Sequence, residues 1–492
     1  MRLKELTVLD IDRAAMLQER LHQPGTRLGL ITSIDGAQLI TLILHTVSGE
    51  AELWHTPLQS NRYQSLTPHI AQAHWQERSV WDMFGLFPVG HPRLKHNLLH
   101  QAFRESFFPL VPGALEDSAF PHRSHTPMKV SGSGIYEVPV GPIHAGIIEP
   151  GHFRFSCLGE VVYNLEIRLG YLHRGVEKRI VETPLSKQRF IAEAVASDSA
   201  VAYALAHATA IEDLCDIEVP DRALYLRSLA LEVERVAMHI SDLGGLAGDI
   251  GYLGVAATLS RLRGVALQMG ELICGSRLMR GFVCPGGVLL DPDNHLLQLQ
   301  TLTAQLQNKI LSPLNALLSN QVAIDRLDKI GRVSRRLAAD FGLTGPTARA
   351  SDLVYDVRQH FPHGIYPQVS LAVNSESGGD VLSRTKVRIA EVKSSLNIIQ
   401  SFIDSMPAGS VFRNLPRDLP ANSFGIGVVE SHRGELIHMA CTDEFGKLKR
   451  YAIKDASVNN WTALAIAVRS NLLADFPLCN KSFALSYGGH DL

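Results

Sequence analysis

The stretch Gly141–Lys178, GPIHAGIIEPGHFRFSCLGEVVYNLEIRLGYLHRGVEK, decides how the rest of the chain is read. It gathers His144, His152, His173, Glu149, Arg154 and Arg174 between Gly141, Gly151, Gly159, Gly170 and Gly175. Glycine tolerates backbone conformations closed to other residues, so the chain can turn sharply around these ionisable groups. His152–Ser156 and Glu160–Ile167 mix apolar and polar residues in the manner of strands. Ionisable side chains on tight turns at strand ends suit a binding or catalytic site. They suit equally a hairpin whose histidines cap its turns.

Working outward, 492 residues exceed one ordinary core, and two or three domains are expected. A hydrophobic content of 46% with 20% charged residues describes a soluble globular protein. The formal net charge of −2 speaks against nucleic-acid binding, which favours a basic face. No apolar run approaches the roughly 18 residues a transmembrane helix needs, and MRLKELTVLDIDR has no apolar signal core. The expectation is a cytoplasmic protein whose membrane attachment comes through partners. Cys157, Cys215, Cys274, Cys284, Cys441 and Cys479 stand singly with no Cys-x-x-Cys pair, the pattern of small buried apolar residues.

Upstream, Asp10–Leu21 has helical spacing. Arg27–Ile34, Gln38–Val47 and Glu50–His55 then read as strands with a turn at Asp35–Gly36, and a helix follows near Ile70–Gln76. The segment HWQERSVWDMFGLFPVGHPRLKHNLL (74–99) closes this unit. Trp75, Trp81, Phe84 and Phe87 read as packing anchors, and Glu77, Arg78 and Asp82 as a structural ion-pair turn. A Pro-, Ser-, Gly- and His-rich stretch follows and reads as a linker.

Downstream, Pro184–Cys215 reads as a buried helix dense in small residues. Pro220 starts a helix that Gly244–Gly245 should end. On it Glu232, Arg235 and His239 share a face, read as a buried polar network rather than a solvated stripe. Gly254–Met279, His295–Gln321, Val333–Phe341, Ala350–His360 and Leu382–Met406 continue the helical pattern; Phe424–Ser431 and Gly434–Tyr451 alternate as strands, and Trp461–Leu473 is a last helix. The fold class is therefore α+β. A small α+β domain occupies 1–118, a linker 119–138, and a mainly helical domain 139–492 with peripheral strands near both its ends.

The pattern GPxH…EPGHFRF…GE…LGYxHRGxEK resembles the opening of the large subunit of energy-converting [NiFe] hydrogenases and, equally, the quinone-site large subunit of respiratory complex I. Segment 74–99 resembles the 30 kDa-type accessory subunit of complex I, whose ERE…DMFG…F.GHP.L signature has Ser79 here for its second Glu. A fusion of the two would fix their stoichiometry.

A [NiFe] site requires four thiolates from two Cys-x-x-Cys pairs. Matched to the hydrogenase pattern, the first pair falls on Ala196 and Ser199 and the second on Ser486 and Gly489, so the resemblance implies an emptied metal site and no bound metal. Complex I large subunits have lost the same ligands and hold a quinone headgroup instead. Their quinone-contacting histidine and tyrosine match Ile148 and Ser197 here, although His144 keeps its motif position.

Glu149 matches the hydrogenase glutamate that shuttles protons beside the metal, and flanking Ile147, Ile148 and Pro150 would desolvate it. It could otherwise cap a surface turn. Arg433, in ESHRGE, matches an arginine of the family's EAPRG segment, with His432 in place of the proline; it could face the old metal cavity, or pair with Glu430 or Glu435. Arg154, Asp198, His490 and Asp491 could add polarity to the same cavity.

The His173–Lys178 loop, with His173 and Arg174, matches the segment that lies near the cluster of the small subunit. The whole is similar to formate-hydrogenlyase-like complexes. The resemblance implies a peripheral subunit on the inner, cytoplasmic face of the cell membrane, in a complex I-like, ion-translocating oxidoreductase. Its partners would be a small subunit with a [4Fe–4S] cluster and antiporter-like membrane subunits. It would bind no cofactor directly, a quinone aside. The alternatives are a quinone-reducing NADH:quinone oxidoreductase-type subunit and a non-redox scaffold or conformational coupler.

Overall fold

The computed structural model describes residues 7–8, 13–101, 103–114, 123, 125–145 and 148–492. Gln38–His45 carries an apolar run, Leu39–Leu44, interrupted only by the buried Thr41, because both its faces are covered. It lies inside a four-stranded sheet ordered Thr7–Val8, Glu50–Pro57, Gln38–His45, Thr26–Ser33. Helices Arg13–Leu21 and His74–Phe84 cover one face through Leu17, Val80, Met83 and Phe84. The other face packs Leu30, Ile40, Leu42 and Leu53 against Phe424, Ile437, Met439 and Ala452, which belong to the far end of the chain. The N-terminal unit thus shares a core with the second unit.

Helix His74–Phe84 makes a further join. Trp75 Nε1 donates to Thr462 Oγ1 at 2.8 Å, and its ring packs edge-on against His490 at 5.1 Å. Glu77, Arg78 and Asp82 are structural, yet they do not pair with one another. Glu77 accepts from the Leu66 and Thr67 amides and from two hydroxyls. Arg78 donates to the Lys95 and His96 carbonyls. Asp82 gathers the Asn97 and Leu98 amides and the Arg123 guanidinium. The three side chains satisfy the backbone of the loops flanking the helix, groups that would otherwise be buried without partners.

The second unit opens with an antiparallel sheet, Ile135–Val140, His152–Leu158 and Val161–Arg168. Its first strand begins inside the stretch 119–138 read as linker, of which 119–122 and 124 lie outside the described residues. Phe153, Phe155, Leu165 and Ile167 enter a core with Trp461 and Phe483. The main core is helical: Leu185–Glu193, Ala200–Cys215, Asp221–Asp249, Leu253–Cys274, Leu296–Ser319 and Val381–Asp404. A second antiparallel sheet, Phe424–Ser431, Gly434–Thr442 and Leu448–Lys454, lies against Ala200–Cys215. Among the described residues no helix is long and apolar enough to cross a membrane.

Three helix expectations are corrected. Gly244–Gly245 do not end their helix, which runs on to Asp249. A Cβ at Gly244 would lie 3.4 Å from that of Leu259, so the small residue admits a neighbouring helix rather than a turn. Ala350–His360 is not one helix but Gly345–Arg349 and Val357–His360 around an irregular link. Pro184–Cys215 is broken over 194–199, the segment that holds Ala196 and Ser199, on which the resemblance places the first ligand pair.

Candidate functional site

The break at 194–199 is imposed from a distance. Arg174 donates to the Ala194 and Val195 carbonyls at 2.9 and 2.8 Å, which removes them from any helical ladder. The helix restarts at Ala200, and its Val201 and Ala202 amides are capped by the Glu234 carboxylate at 2.7 and 3.2 Å. Desolvation raises Glu234 to about 8, outweighing the two amides that favour its ionised form.

Ser486 and Gly489, on which the resemblance places the second ligand pair, lie on the short helix Tyr487–Asp491 and its cap. Ser486 Oγ accepts from the Gly489 amide at 2.9 Å. A Cβ at Gly489 would fall 2.7 Å from the Asp455 carboxyl group, so Asp455 occupies the space a longer side chain needs. Asp455 in turn accepts from Tyr203 Oη at 2.7 Å.

Arg433 joins these two segments. It sits in the turn between Phe424–Ser431 and Gly434–Thr442. Its guanidinium donates to both Asp198 oxygens at 2.8 and 2.6 Å and to Ser199 Oγ at 3.1 Å. On the other side its Nε donates to the Ala484 carbonyl at 2.5 Å. Desolvation alone would raise the Asp198 carboxyl, but the guanidinium overrides it and holds the group well below the usual carboxylate range. The Arg433 guanidinium is raised in return, against its own desolvation. His432 Nδ1 lies 3.4 Å from Ser199 Oγ, and desolvation followed by the Arg433 charge keeps its imidazole neutral.

Glu149 reaches the same region from outside. Its carboxylate accepts from the Gly488 amide at 3.1 Å. The expected desolvation is absent: Glu149 is exposed and Ile148 is 46% exposed, because the turn directs both outward. Ile147 lies outside the described residues. His144 spans the base of this turn, its Nε2 2.8 Å from the Gly151 carbonyl. The His173–Lys178 loop clasps the tail: His173 Nδ1 lies 2.7 Å from the Asp491 carbonyl, and the Arg174 amide donates to Leu492. Asp491 accepts from the Gly170 and Leu172 amides.

Two expected members stand elsewhere. His490 is turned onto Trp75 and held at 3.0 Å by Asp491, because the N-terminal unit supplies the apolar surface it covers. Arg154 lies opposite Phe153 and Phe155 on its strand, on the polar face of the sheet, paired with Glu137. Strand alternation dictates that separation. Glu234, Asp455 and Tyr203 were missed. Glu234 adjoins the Glu232, Arg235 and His239 stripe, which is where a signal existed; nothing near Asp455 marks it.

The stripe itself is buried throughout. Glu232 accepts from Arg358 at 3.0 Å and from Tyr366 at 2.5 Å. Arg235 donates to the Glu430 and Ser431 carbonyls. His239 Nε2 meets Glu391 at 2.8 Å. Among the described residues, no group of three His, Cys, Asp or Glu is arranged to hold a metal.

Comparison with known proteins agrees with this architecture. Residues 11–112 match the family of the respiratory-chain NADH dehydrogenase 30 Kd subunit, and residues 249–423 that of its 49 Kd subunit. The chain is 33% identical to formate hydrogenlyase subunit 5 of Escherichia coli, over 87% of this chain and 77% of that protein. It is 30% identical to the C/D-type NADH-quinone oxidoreductase subunit of Bacteroides fragilis, over 79% and 78%. A chain in the structure of the membrane-bound sulfane sulfur reductase, an archaeal respiratory membrane complex, superposes with a TM-score of 0.69 at 26% identity, covering 73% of this chain and 99% of that one. The chain belongs to the complex I-like family in which 30 Kd- and 49 Kd-type domains are fused, together with formate hydrogenlyase subunit 5 and the C/D-type NADH-quinone oxidoreductase proteins.

Proposed function

We propose that this chain is a peripheral subunit on the cytoplasmic face of a complex I-like, ion-translocating membrane oxidoreductase. Its Asp198–Arg433 centre couples events at a partner's [4Fe–4S] cluster to antiporter-like membrane subunits. The observation that carries the reading is the position of Arg433, which ties both former ligand segments together through Asp198, Ser199 and Ala484. The residues do not fit a thiolate-held nickel–iron pair. Ala196 and Gly489 offer no donor, both serine hydroxyls are engaged, and Asp455 fills the space beside Gly489. The membrane setting is supported by the archaeal respiratory complex that the fold matches.

In this reading the guanidinium is the shared element. Negative charge arriving beside Arg433 competes with Asp198 for it. Once released, Asp198 loses the interaction that keeps it ionised and takes up a proton. Glu149, exposed next to Gly488, is positioned to exchange that proton with solvent or a partner. The His173–Arg174 loop is the surface assigned to the cluster-bearing subunit.

The test is coupled ion transport by the intact complex carrying Asp198→Asn. Transport is lost while the complex still assembles; transport at the wild-type rate overturns the proposal. Quinone reduction by the same complex, from a low-potential donor and with a quinone-site inhibitor, separates the redox reading from the coupler reading. Inhibitor-sensitive turnover favours a quinone-reducing subunit. No turnover with reducible clusters favours a conformational coupler.

A further inference from the structure

We infer that the cleft beneath the polar face of the sheet Ile135–Val140, His152–Leu158 and Val161–Arg168 binds a small multivalent oxyanion of the phosphate class. His152, Arg154, Glu166 and Arg168 occupy that face, with Arg154 opposite Glu166 and His152 opposite Arg168 in the strand register. The neighbouring segments, through Gln101, His125 and Pro127, close over it and leave a cavity of about 250 Å³. A second, smaller pocket, lined by Arg78, Arg93 and Lys95, continues it and shares His125, Glu166 and Arg168. The larger cavity has room for roughly eight waters at about 30 Å³ each, a space suited to a diphosphate or a small phosphate monoester.

The charge is unbalanced there. Five cations, Arg78, Arg93, Lys95, Arg154 and Arg168, line the two pockets. Among the described residues the one carboxylate lining them, Glu166, is already held by Lys95 at 2.5 Å, by Arg93 at 3.3 Å and by the Met128 amide at 2.7 Å. Arg154 uses Glu137 for one nitrogen, while its Nε is buried without a hydrogen-bond partner. Arg168 has no carboxylate partner among the described residues and donates only to neutral groups, Gln101 at 3.0 Å and Tyr171. Arg154 and Arg168 are half-buried, and guanidinium groups partly withdrawn from water gain from an anion that completes their donors. A phosphate oxygen pair matches the fork of a guanidinium.

The histidines register the same field. Burial and then the Arg168 charge lower His125 to about 4 and lower His152 as well. Both are neutral at pH 7 and can donate a ring N–H to an anion. The site is separate from the Asp198–Arg433 centre and does not depend on its function.

The experiment is calorimetric titration of the full chain with inorganic diphosphate at physiological salt. One site per chain is expected, with Arg168→Gln and Arg154→Gln each weakening it by about tenfold or more. Arg336→Gln, a surface arginine outside the cleft, leaves binding unchanged. Circular dichroism verifies that each variant folds. Cosedimentation with phosphatidylglycerol vesicles identifies the source of the phosphate: binding that diphosphate displaces indicates a lipid headgroup, and diphosphate binding without vesicle binding indicates a soluble ester. Absence of both, or equal loss in Arg336→Gln, overturns the inference.

Discussion

Two arginines only a few strand positions apart in their contacts behave as opposites. Arg349 is 1% exposed and meets three carboxylates, those of Glu391, Glu430 and Asp356. Arg358 extends that cluster to Glu232, and Arg235 fixes the Glu430 and Ser431 carbonyls. Three residues beyond Glu430, Arg433 holds a single carboxylate, Asp198, whose side chain is 40% exposed. His239, bound to Glu391, packs 6.2 Å from His432 and so lies between the two regions. The closed cluster can exist in one arrangement only, because each charge has its partner and water cannot substitute. The Arg433 pair is open on one side, where solvent or a partner can compete for either member. One region defines where the helices Asp221–Asp249 and Val381–Asp404 meet the strand; the other is free to change state.

The sharpest way to break this contrast is Arg349→Met. It takes the shared cation from three buried carboxylates. Asp356 keeps Arg358 and Glu391 keeps His239, but among the described residues Glu430 keeps only the Val357 amide as a donor. Removing one partner of a buried pair costs about 3–5 kcal/mol. Urea unfolding of the full chain should show that loss. Glu430, raised to about 7 by desolvation and the Asp356 charge, takes up a proton first, so the loss is smaller at pH 6 than at pH 8. A cost below about 1 kcal/mol would put Arg349 among ordinary surface pairs and dissolve the distinction.

Proton linkage sharpens the comparison further. Glu234, raised to about 8 by desolvation, binds a proton in the folded chain that the unfolded chain releases near the ordinary 4.5. Its contribution to stability is fully present below pH 4.5 and is lost as pH rises through 8. Asp198 and Glu391, held low by Arg433 and Arg349 against desolvation, act in the opposite sense: their contribution is present above the usual carboxylate range and lost as pH falls. The Glu234 component therefore falls between pH 5 and pH 8, against the rise up to the ordinary histidine range that histidines held neutral by burial, such as His125 and His432, contribute. Glu234→Gln should remove that fall, read from unfolding midpoints across the range. An unchanged slope would mean that Glu234 does not titrate in that window.

Much of this was legible in residue order, for a reason that also explains the failures. Strands such as Phe424–Ser431 emerge from alternation, since a neighbour's core selects every second side chain. The same alternation in HFRFS separates Arg154 from the Glu149 region, a signal present in the sequence. The 194–199 break left only a weak local mark, the cap-forming run Ser197-Asp198-Ser199 before the helix that restarts at Ala200. Arg174 and Glu234, which create it, lie on other elements. His490 was similarly unreadable, because Trp75 arrives from the other unit. Asp198 and Arg433 were read through family resemblance, and the fold brings them into contact, whereas Asp455 came only with the tertiary structure. Local pattern specifies elements; the polar groups that interrupt or join them act across the chain.

The smallest expected effect is the most discriminating. Asp198→Asn keeps one oxygen for Arg433, and the position is open to water, so the guanidinium can recover the lost partner from solvent. The guanidinium also retains Ser199 and Ala484. Asp198 is 40% exposed but the Arg433 side chain only 10%, so the loss should lie between the about 0–1 kcal/mol of an exposed pair and the about 3–5 kcal/mol of a broken buried one. If Asp198→Asn instead costs as much as Arg349→Met, the pair is a continuation of the buried cluster through His239 and His432. Arg433 would then be a fixed strut rather than a movable contact. If the cost is small and coupled transport is still lost, stability and function separate at this one carboxylate, as an open pair beside a closed network requires.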